Sequence, residues 1–252
     1  MSDSLLATVF VLVWLTGAGL VIAPTLDGDR ATGQSTPPSS PQTAPPPTTS
    51  ALPPPSAGAQ AGAEQVEGGE VRWRRSSVIG KPFAGRLIHG VQLPSEGVDY
   101  FTWDPILKRV PNRPWRRWAA DGTLRVLIQV VEEFRAANPD APRVAIGDLS
   151  RPGGGDFGPR FGKPGHASHQ NGLDIDLYYP RLDRLERAAT RVSQVDQRLS
   201  QDLVDRFVAA GARYVFVGPR TKLGGPRKVV SKLVHHDDHM HIRLFSRGVA
   251  GR

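Results

Sequence analysis

Nine prolines crowd the nineteen residues from Pro37 to Pro55, set mostly among Ser, Thr and Ala. Proline fixes φ and has no amide proton to donate, so this tract can join neither a helix interior nor a sheet ladder. It also offers too little apolar surface to offset the loss of chain entropy. The tract therefore predicts a disordered Pro-rich linker with local polyproline II character, assigned to residues 25–70. Any hydrophobic core must come from the residues beyond it. Those residues, 71–252, suffice for one ordinary folded domain.

On the other side of the linker, Leu5 to Ala23 is almost continuously apolar, broken only by Thr and Gly. As a helix rising about 1.5 Å per residue, such a stretch roughly matches the ~30 Å hydrocarbon core of a bilayer. A soluble helix is disfavoured because there is no polar face. Two readings of residues 1–24 compete, a cleaved signal peptide and a retained signal anchor. Met1 to Ser4 contains no Lys or Arg, and the apolar run exceeds the usual 7–15 residues of a signal peptide. These features favour a retained membrane anchor. The side on which the following domain lies is weakly coded, because almost no charge flanks the stretch.

Charge separates the same parts. The chain carries a formal +8, yet residues 1–69 hold one Arg against five Asp and Glu. The basic character belongs to the folded domain, which points to an anionic partner. A nucleic-acid binder would interleave basic residues with exposed aromatics. Only Arg113 to Trp118 does so, and that segment reads better as a surface or substrate-rim feature. The chain contains no cysteine. Disulfides, thiolate metal sites, a thiol nucleophile and a Cys lipid anchor are therefore excluded.

Helix and strand signals alternate along the domain. Asp121 to Ala137 predicts a helix with Leu124, Leu127, Ile128, Val131 and Phe134 on one face, stopped by Asn138-Pro139. Arg143 to Asp148 predicts a short strand. Leu173, Ile175 and Leu177 alternate with Asp174, Asp176 and Tyr178, as in a half-buried strand. Asn171-Gly172 before it looks like a hairpin turn. Asp196 to Ala210 predicts a second helix with Leu199, Leu203, Val204, Phe207 and Val208 inward and Gly211 as its C-cap. Tyr214 to Val217 predicts a further strand, and Met240, Ile242 and Leu244 alternate with His239, His241 and Arg243. The pattern predicts an α+β domain with a small, largely antiparallel sheet flanked by helices.

Six of the seven histidines fall in two short segments. His166 and His169 lie in Gly165-His-Ala-Ser-His-Gln170; His235, His236, His239 and His241 form the second. His89 stands alone and reads as a bystander. Imidazole is the commonest metal ligand and titrates near neutrality, so the clustering calls for a shared cause. Asp176 points away from the apolar face of its strand, and His169 precedes it closely enough to fold back beside it. His239 and His241 share one face of theirs. If the two strands are neighbours, His169, Asp176 and His241 converge on one point. Three such ligands leave a fourth tetrahedral position open, the arrangement of a catalytic zinc. His239 and His236 then lie beside the metal as candidate proton carriers. Asp174 shares the face of Asp176 and is either a carboxylate orienting a ligand histidine or a solvated one. Arg243 can bind a substrate carboxylate or form a structural salt bridge.

Other chemistries fit less well. Mg²⁺-dependent nucleases want more carboxylates and less imidazole. Ser168 is not in a Gly-x-Ser-x-Gly elbow, and no His-Glu-x-x-His helix occurs.

Ile146-Gly-Asp148, Gly165-His-Ala-Ser-His-Gln-Asn-Gly-Leu-Asp-Ile-Asp176 and His236-x-x-His-Met-His-Ile-Arg-Leu244 resemble the penicillin-insensitive murein endopeptidase family. That family belongs with lysostaphin-like, D-Ala-D-Ala and hedgehog-fold metallopeptidases, which share His-x6-Asp followed by His-x-His. The resemblance covers about residues 78–245. It implies Zn²⁺ held by His169, Asp176 and His241, with His239 as base. His236 and His166 match further active-site histidines. It also implies the substrate, peptidoglycan peptide cross-links cut between D-Ala and a diamino acid. The oligomeric state is not encoded in these motifs. A non-catalytic wall-binding or signalling module of the same fold is the alternative, disfavoured by the complete ligand set and base.

Overall fold

The computed structural model describes residues 69–163 and 165–246. The apolar stretch Leu5–Ala23 and the tract Pro37–Pro55 lie outside them. Among the described residues no helix is long and apolar enough to cross a membrane.

The domain is α+β. In chain order its elements are β1 (Ser77–Lys81), β2 (Ala84–Ile88), β3 (Val91–Gln92), β4 (Tyr100–Thr102) and β5 (Trp118–Ala119). There follow α1 (Asp121–Ala137), β6 (Val144–Ile146), β7 (Asp174–Tyr178), α2 (Gln197–Ala209), β8 (Tyr214–Val217), β9 (Val230–Lys232) and β10 (His239–Arg243). Six strands form the main sheet in the order β4-β6-β7-β10-β8-β9. The central pairs β6/β7, β7/β10 and β10/β8 are antiparallel; the outer pairs β4/β6 and β8/β9 are parallel. The expected antiparallel sheet therefore describes the centre and not the edges. Two small antiparallel pairs, β1/β2 and β3/β5, stand beside it.

Both helices bury one stripe against one face of the sheet. Leu124, Leu127, Val130, Val131 and Phe134 of α1 and Leu199, Leu203, Val204 and Phe207 of α2 share a core with Ile175, Leu177, Val215, Val217, Met240 and Ile242. Each large side chain buried this way contributes about 1.5–3 kcal/mol relative to exposure. Val130, not Ile128, completes the α1 stripe, while Ile128 and Val208 sit half-buried at the core margin. The helix ends follow from capping. Asn138 leaves the helical region and its side-chain amide donates to the Phe134 carbonyl at 3.0 Å. Asp196 accepts from the Leu199 amide at 3.0 Å, and Gly211 adopts φ +81° after α2.

Four sequence expectations need correcting. The strand expected over Arg143–Asp148 is only Val144–Ile146. β7 is buried on both faces rather than half-buried: on the face opposite the helices, Asp174 and Asp176 meet His169 from the preceding loop and Arg243 and His241 of the neighbouring β10. Asn171-Gly172 is not a hairpin turn. Gly172 has φ +79°, and its carbonyl accepts from Ala120 at 3.0 Å, so the turn ties the entry of β7 to the start of α1. The Arg113–Trp118 segment is not a surface feature throughout: Arg116, Arg117 and Trp118 are buried.

Candidate metal centre

β7 and β10 lie side by side with His239 opposite Tyr178, His241 opposite Asp176 and Arg243 opposite Asp174. Alternation puts Ile175, Leu177, Met240 and Ile242 toward the helices. It puts these six polar or aromatic side chains on the other face. The expectation that the two strands are neighbours is met.

His169 reaches this face from the loop before β7. It adopts φ 66°. Its amide donates to Asp174 Oδ2 at 2.9 Å, and its carbonyl accepts from Ser150 Oγ at 2.6 Å. Its Nδ1 donates to the Leu149 carbonyl. That bond places the proton on Nδ1 and leaves Nε2 with a free lone pair. Nε2 lies 3.2 Å from Asp176 Oδ1 and 3.2 Å from His241 Nδ1. His241 Nδ1 lies 3.1 Å from the same Asp176 oxygen. Three atoms thus form a nearly equilateral triangle.

A tetrahedral zinc with bonds of about 2.0–2.1 Å has ligand–ligand edges of about 3.3 Å. The triangle fits that ion. The second nitrogen of His241 points at Asp174, 3.4 Å from Oδ1, an ion-pair separation without hydrogen-bond alignment. Another set, His166, His169 and Asp176, also brings three candidate ligand atoms within 4.8 Å of one another. Its edges are less even. His166 Nδ1 is 3.7 Å from Asp176 Oδ2, and its Nε2 is engaged by Asp148 Oδ2 at 2.7 Å. The His169–Asp176–His241 set is the better match.

Charge supports the same reading. Burial alone would push Asp176 up, but His169, His241 and His239 hold it well below the usual carboxylate range. Burial opposes protonation of His241 too, yet Asp174 and Asp176 outweigh it and raise its pKa to about 9. Burial dominates at His169 and lowers its pKa. The buried Asp176 carboxylate has no Arg or Lys among its ion-pair partners, only histidines, and calls for a cation here. A divalent ion satisfies the same demand, and both imidazoles then serve as neutral ligands.

Two further histidines flank the triangle. His239 Nδ1 bonds Asp238 Oδ1 at 2.7 Å, and its Nε2 is 3.9 Å from Asp176 Oδ1. Asp238 thus turns the other nitrogen of His239 toward the triangle. His236 packs on His239 with ring centroids 4.8 Å apart. Its Nδ1 donates to the Val234 carbonyl at 2.7 Å. Burial, with His239 beside it, lowers the His236 pKa to about 4. Asp237 turns away and pairs with Arg220. His235, with φ 65°, is exposed and contributes nothing to the centre. The histidine clustering therefore has one cause for five residues and not for the sixth.

Asp174 is fully buried, which rules out the solvated reading. Arg243 grips it with Nε and Nη2 at 2.7 and 3.1 Å. The Arg243 guanidinium is thus committed to an internal ion pair and not turned to a ligand.

Sequence reading gave no role to the pair that closes the site behind His166. Arg116 binds both oxygens of Asp148, Nε at 2.6 Å, and both residues are buried. Asn112 Nδ2 donates to Asp148 Oδ1 at 3.0 Å. Burial would raise Asp148, but the bonds from Arg116 and His166 hold it below the usual range. The Ile-Gly-Asp148 motif was the available signal; Arg116 was hidden in a segment read as surface. Phe157 lines this wall, its ring centroid 4.9 Å from that of His166.

Residues 78–214, more than half the chain, match the family described as penicillin-insensitive murein endopeptidase. That stretch includes His166, His169, Asp174 and Asp176 and stops before the second histidine segment. Similar proteins carry the same name. One from Yersinia enterocolitica is 32% identical over 186 residues, covering 64% of this chain and 62% of the relative. One from Haemophilus influenzae is 25% identical over 197 residues, covering 68% and 64%. A third, from Yersinia pestis, is 27% identical over 189 residues, covering 64% of each. The chain thus spans less than two thirds of the length of these relatives.

Proposed function

The chain belongs to the penicillin-insensitive murein endopeptidase family, and from that premise we propose that it is a zinc-dependent peptidase hydrolysing the peptide cross-links of peptidoglycan. The bond proposed is that between D-Ala and a diamino acid, and the location is extracytoplasmic. The observation that carries the reading is the triangle of His169 Nε2, Asp176 Oδ1 and His241 Nδ1, with edges of 3.1–3.2 Å.

His169, Asp176 and His241 would hold the ion. When bound, zinc lowers the pKa of a coordinated water towards ~7 and polarises a carbonyl. Leu149, Asp174 and Asp238 do the orienting through the contacts described above. His239 is the candidate base: its Nε2 faces the triangle while Asp238 holds Nδ1. It takes the proton of the attacking water as the water oxygen bonds the carbonyl carbon. The carbonyl electron pair moves onto oxygen. It returns as the C–N bond breaks, and His239 passes its proton to the leaving amine. His236, neutral near pH 7 and stacked on His239, completes that wall. No serine is acylated in this scheme, which accords with the penicillin insensitivity in the family name.

The test is digestion of purified sacculi by the full chain, with muropeptides read by mass spectrometry. The proposal expects cross-linked peptides to fall to monomers, chelator to stop this, and Zn²⁺ to restore it. Intact cross-links after incubation with zinc would contradict it.

A further inference from the structure

β9 and β10 are joined by Leu233 to Asp238, a stretch without helix or strand. It carries His236, which stacks on His239, and Asp238, which bonds the Nδ1 of His239. Backbone in such a stretch has no ladder to satisfy it, so other parts of the molecule must hold it. Tyr179 does so at two points. Its amide donates to the Asp238 carbonyl at 3.2 Å, and its hydroxyl donates to the His236 carbonyl at 3.1 Å.

Tyr179 is 1% exposed and its ring belongs to the core on the helix side of the sheet. That packing fixes where the hydroxyl lies. The hydroxyl also accepts from the Gly218 amide at 3.3 Å. An amide N–H only donates, so the phenolic proton goes to the His236 carbonyl. The turn after β8 closes on the same stretch. A Cβ at Gly218 would come within 2.5 Å of Asp237 Cα and 2.6 Å of the His236 carbonyl oxygen. Arg220 binds the Asp237 carboxylate through its amide at 2.9 Å and its Nε at 2.6 Å. Tyr179 thus sits between two loops and bonds each.

We infer that Tyr179 is a positioning residue: its hydroxyl and amide hold the backbone of His236 and Asp238 so that these two set the ring of His239 toward the triangle. The inference rests on the peptidase reading. The triangle itself is held by other contacts. His169 is fixed by Leu149, Ser150 and Asp174, and His241 lies inside β10. Loss of the hydroxyl should therefore spare ion and substrate binding and act on proton transfer through His239.

The test measures kcat, KM and zinc content of the full chain on sacculi-derived cross-linked muropeptides, for wild type, Tyr179→Phe, His239→Gln and the double variant. Tyr179→Phe keeps the ring in the core and removes only the hydroxyl. kcat is expected to fall by about 10–10²-fold, the cost of displacing a reacting group by up to about 1 Å. KM and zinc content should stay close to wild type. In the His239→Gln background the further loss should be small, because the group that Tyr179 positions is already gone. Gly218→Ala pushes on the same stretch without removing a core atom, and it carries the test if Tyr179→Phe does not fold. Wild-type kcat in a folded Tyr179→Phe chain, or in Gly218→Ala where Tyr179→Phe does not fold, overturns the role of Tyr179 and leaves the peptidase reading standing. An equal fold-loss with and without His239 also overturns it, since the hydroxyl then acts independently of that ring. An inactive wild-type chain overturns the reading beneath and the inference with it.

Discussion

Asp174 and Arg243 face each other across the β7–β10 pair and join through both carboxylate oxygens, at 2.7 and 3.1 Å. The same carboxylate accepts the backbone amide of His169 and lies 3.4 Å from His241 Nε2. One buried side chain thus aligns two of the three atoms of the triangle.

Removing Arg243 should therefore act on metal binding from a distance. Arg243→Ala leaves Asp174 with an uncompensated buried charge, an effect of about 3 kcal/mol on stability. It should also weaken zinc affinity by about 10–100-fold, as loss of an orienting partner does. Thermal melting with chelator-competition titration measures both. Arg243→Lys should recover only part of the loss, since an ammonium cannot reproduce the two-pronged bond.

The Arg116–Asp148–His166 cluster predicts how stability responds to pH. Asp148 is held below its unfolded value by Arg116 and His166. Its contribution is complete above about pH 4 and lost as pH falls further. Burial opposes the charge on His166, but Asp148 and Asp176 raise its pKa overall. That contribution is complete below about pH 6.5 and lost as pH rises through the raised value. Asp148→Asn should flatten the acid-side fall in melting temperature, whatever its effect on absolute stability. Melting curves from pH 3 to pH 8 on both proteins check this.

The two flanking histidines should separate in a pH–rate profile. His236 is pushed down to about 4, so it is already neutral where the proposed enzyme works. An acid limb of kcat/KM between about pH 5 and 7 cannot then be its titration. His236→Gln should leave that limb in place. His239→Gln should lower kcat by about 10²–10⁴-fold, the usual contribution of a general base.

Much of this architecture was legible from local pattern. The 3.6-residue period and the Asn138-Pro139 stop gave α1 its limits, and Asp196 and Gly211 bracketed α2. The alternation of Met240 and Ile242 with His239, His241 and Arg243 gave β10 and its functional face. The histidine and aspartate spacings singled out the triangle. What local pattern does not encode is pairing between distant segments. The parallel pair β4/β6 joins strands far apart in the chain, with Tyr100 beside Val144, and β8/β9 run parallel although they follow each other in sequence. The β1–β2 hairpin turns through Lys81-Pro82-Phe83-Ala84 without an Asn-Gly signal. Arg116 reads as a surface residue until Asp148 is seen to meet it across 32 residues. His235 and His236 are neighbours in sequence, yet the backbone at His235 turns one outward and the other to the site.

The central claim is that His169, Asp176 and His241 together hold the catalytic ion. It is tested most directly by measuring zinc content and muropeptide release on the same preparations of wild type and His169→Ala. The account predicts about one zinc per wild-type chain with cleavage of cross-links, and neither zinc nor cleavage in a His169→Ala chain that remains folded. A folded His169→Ala chain that keeps both its zinc and its activity would contradict it.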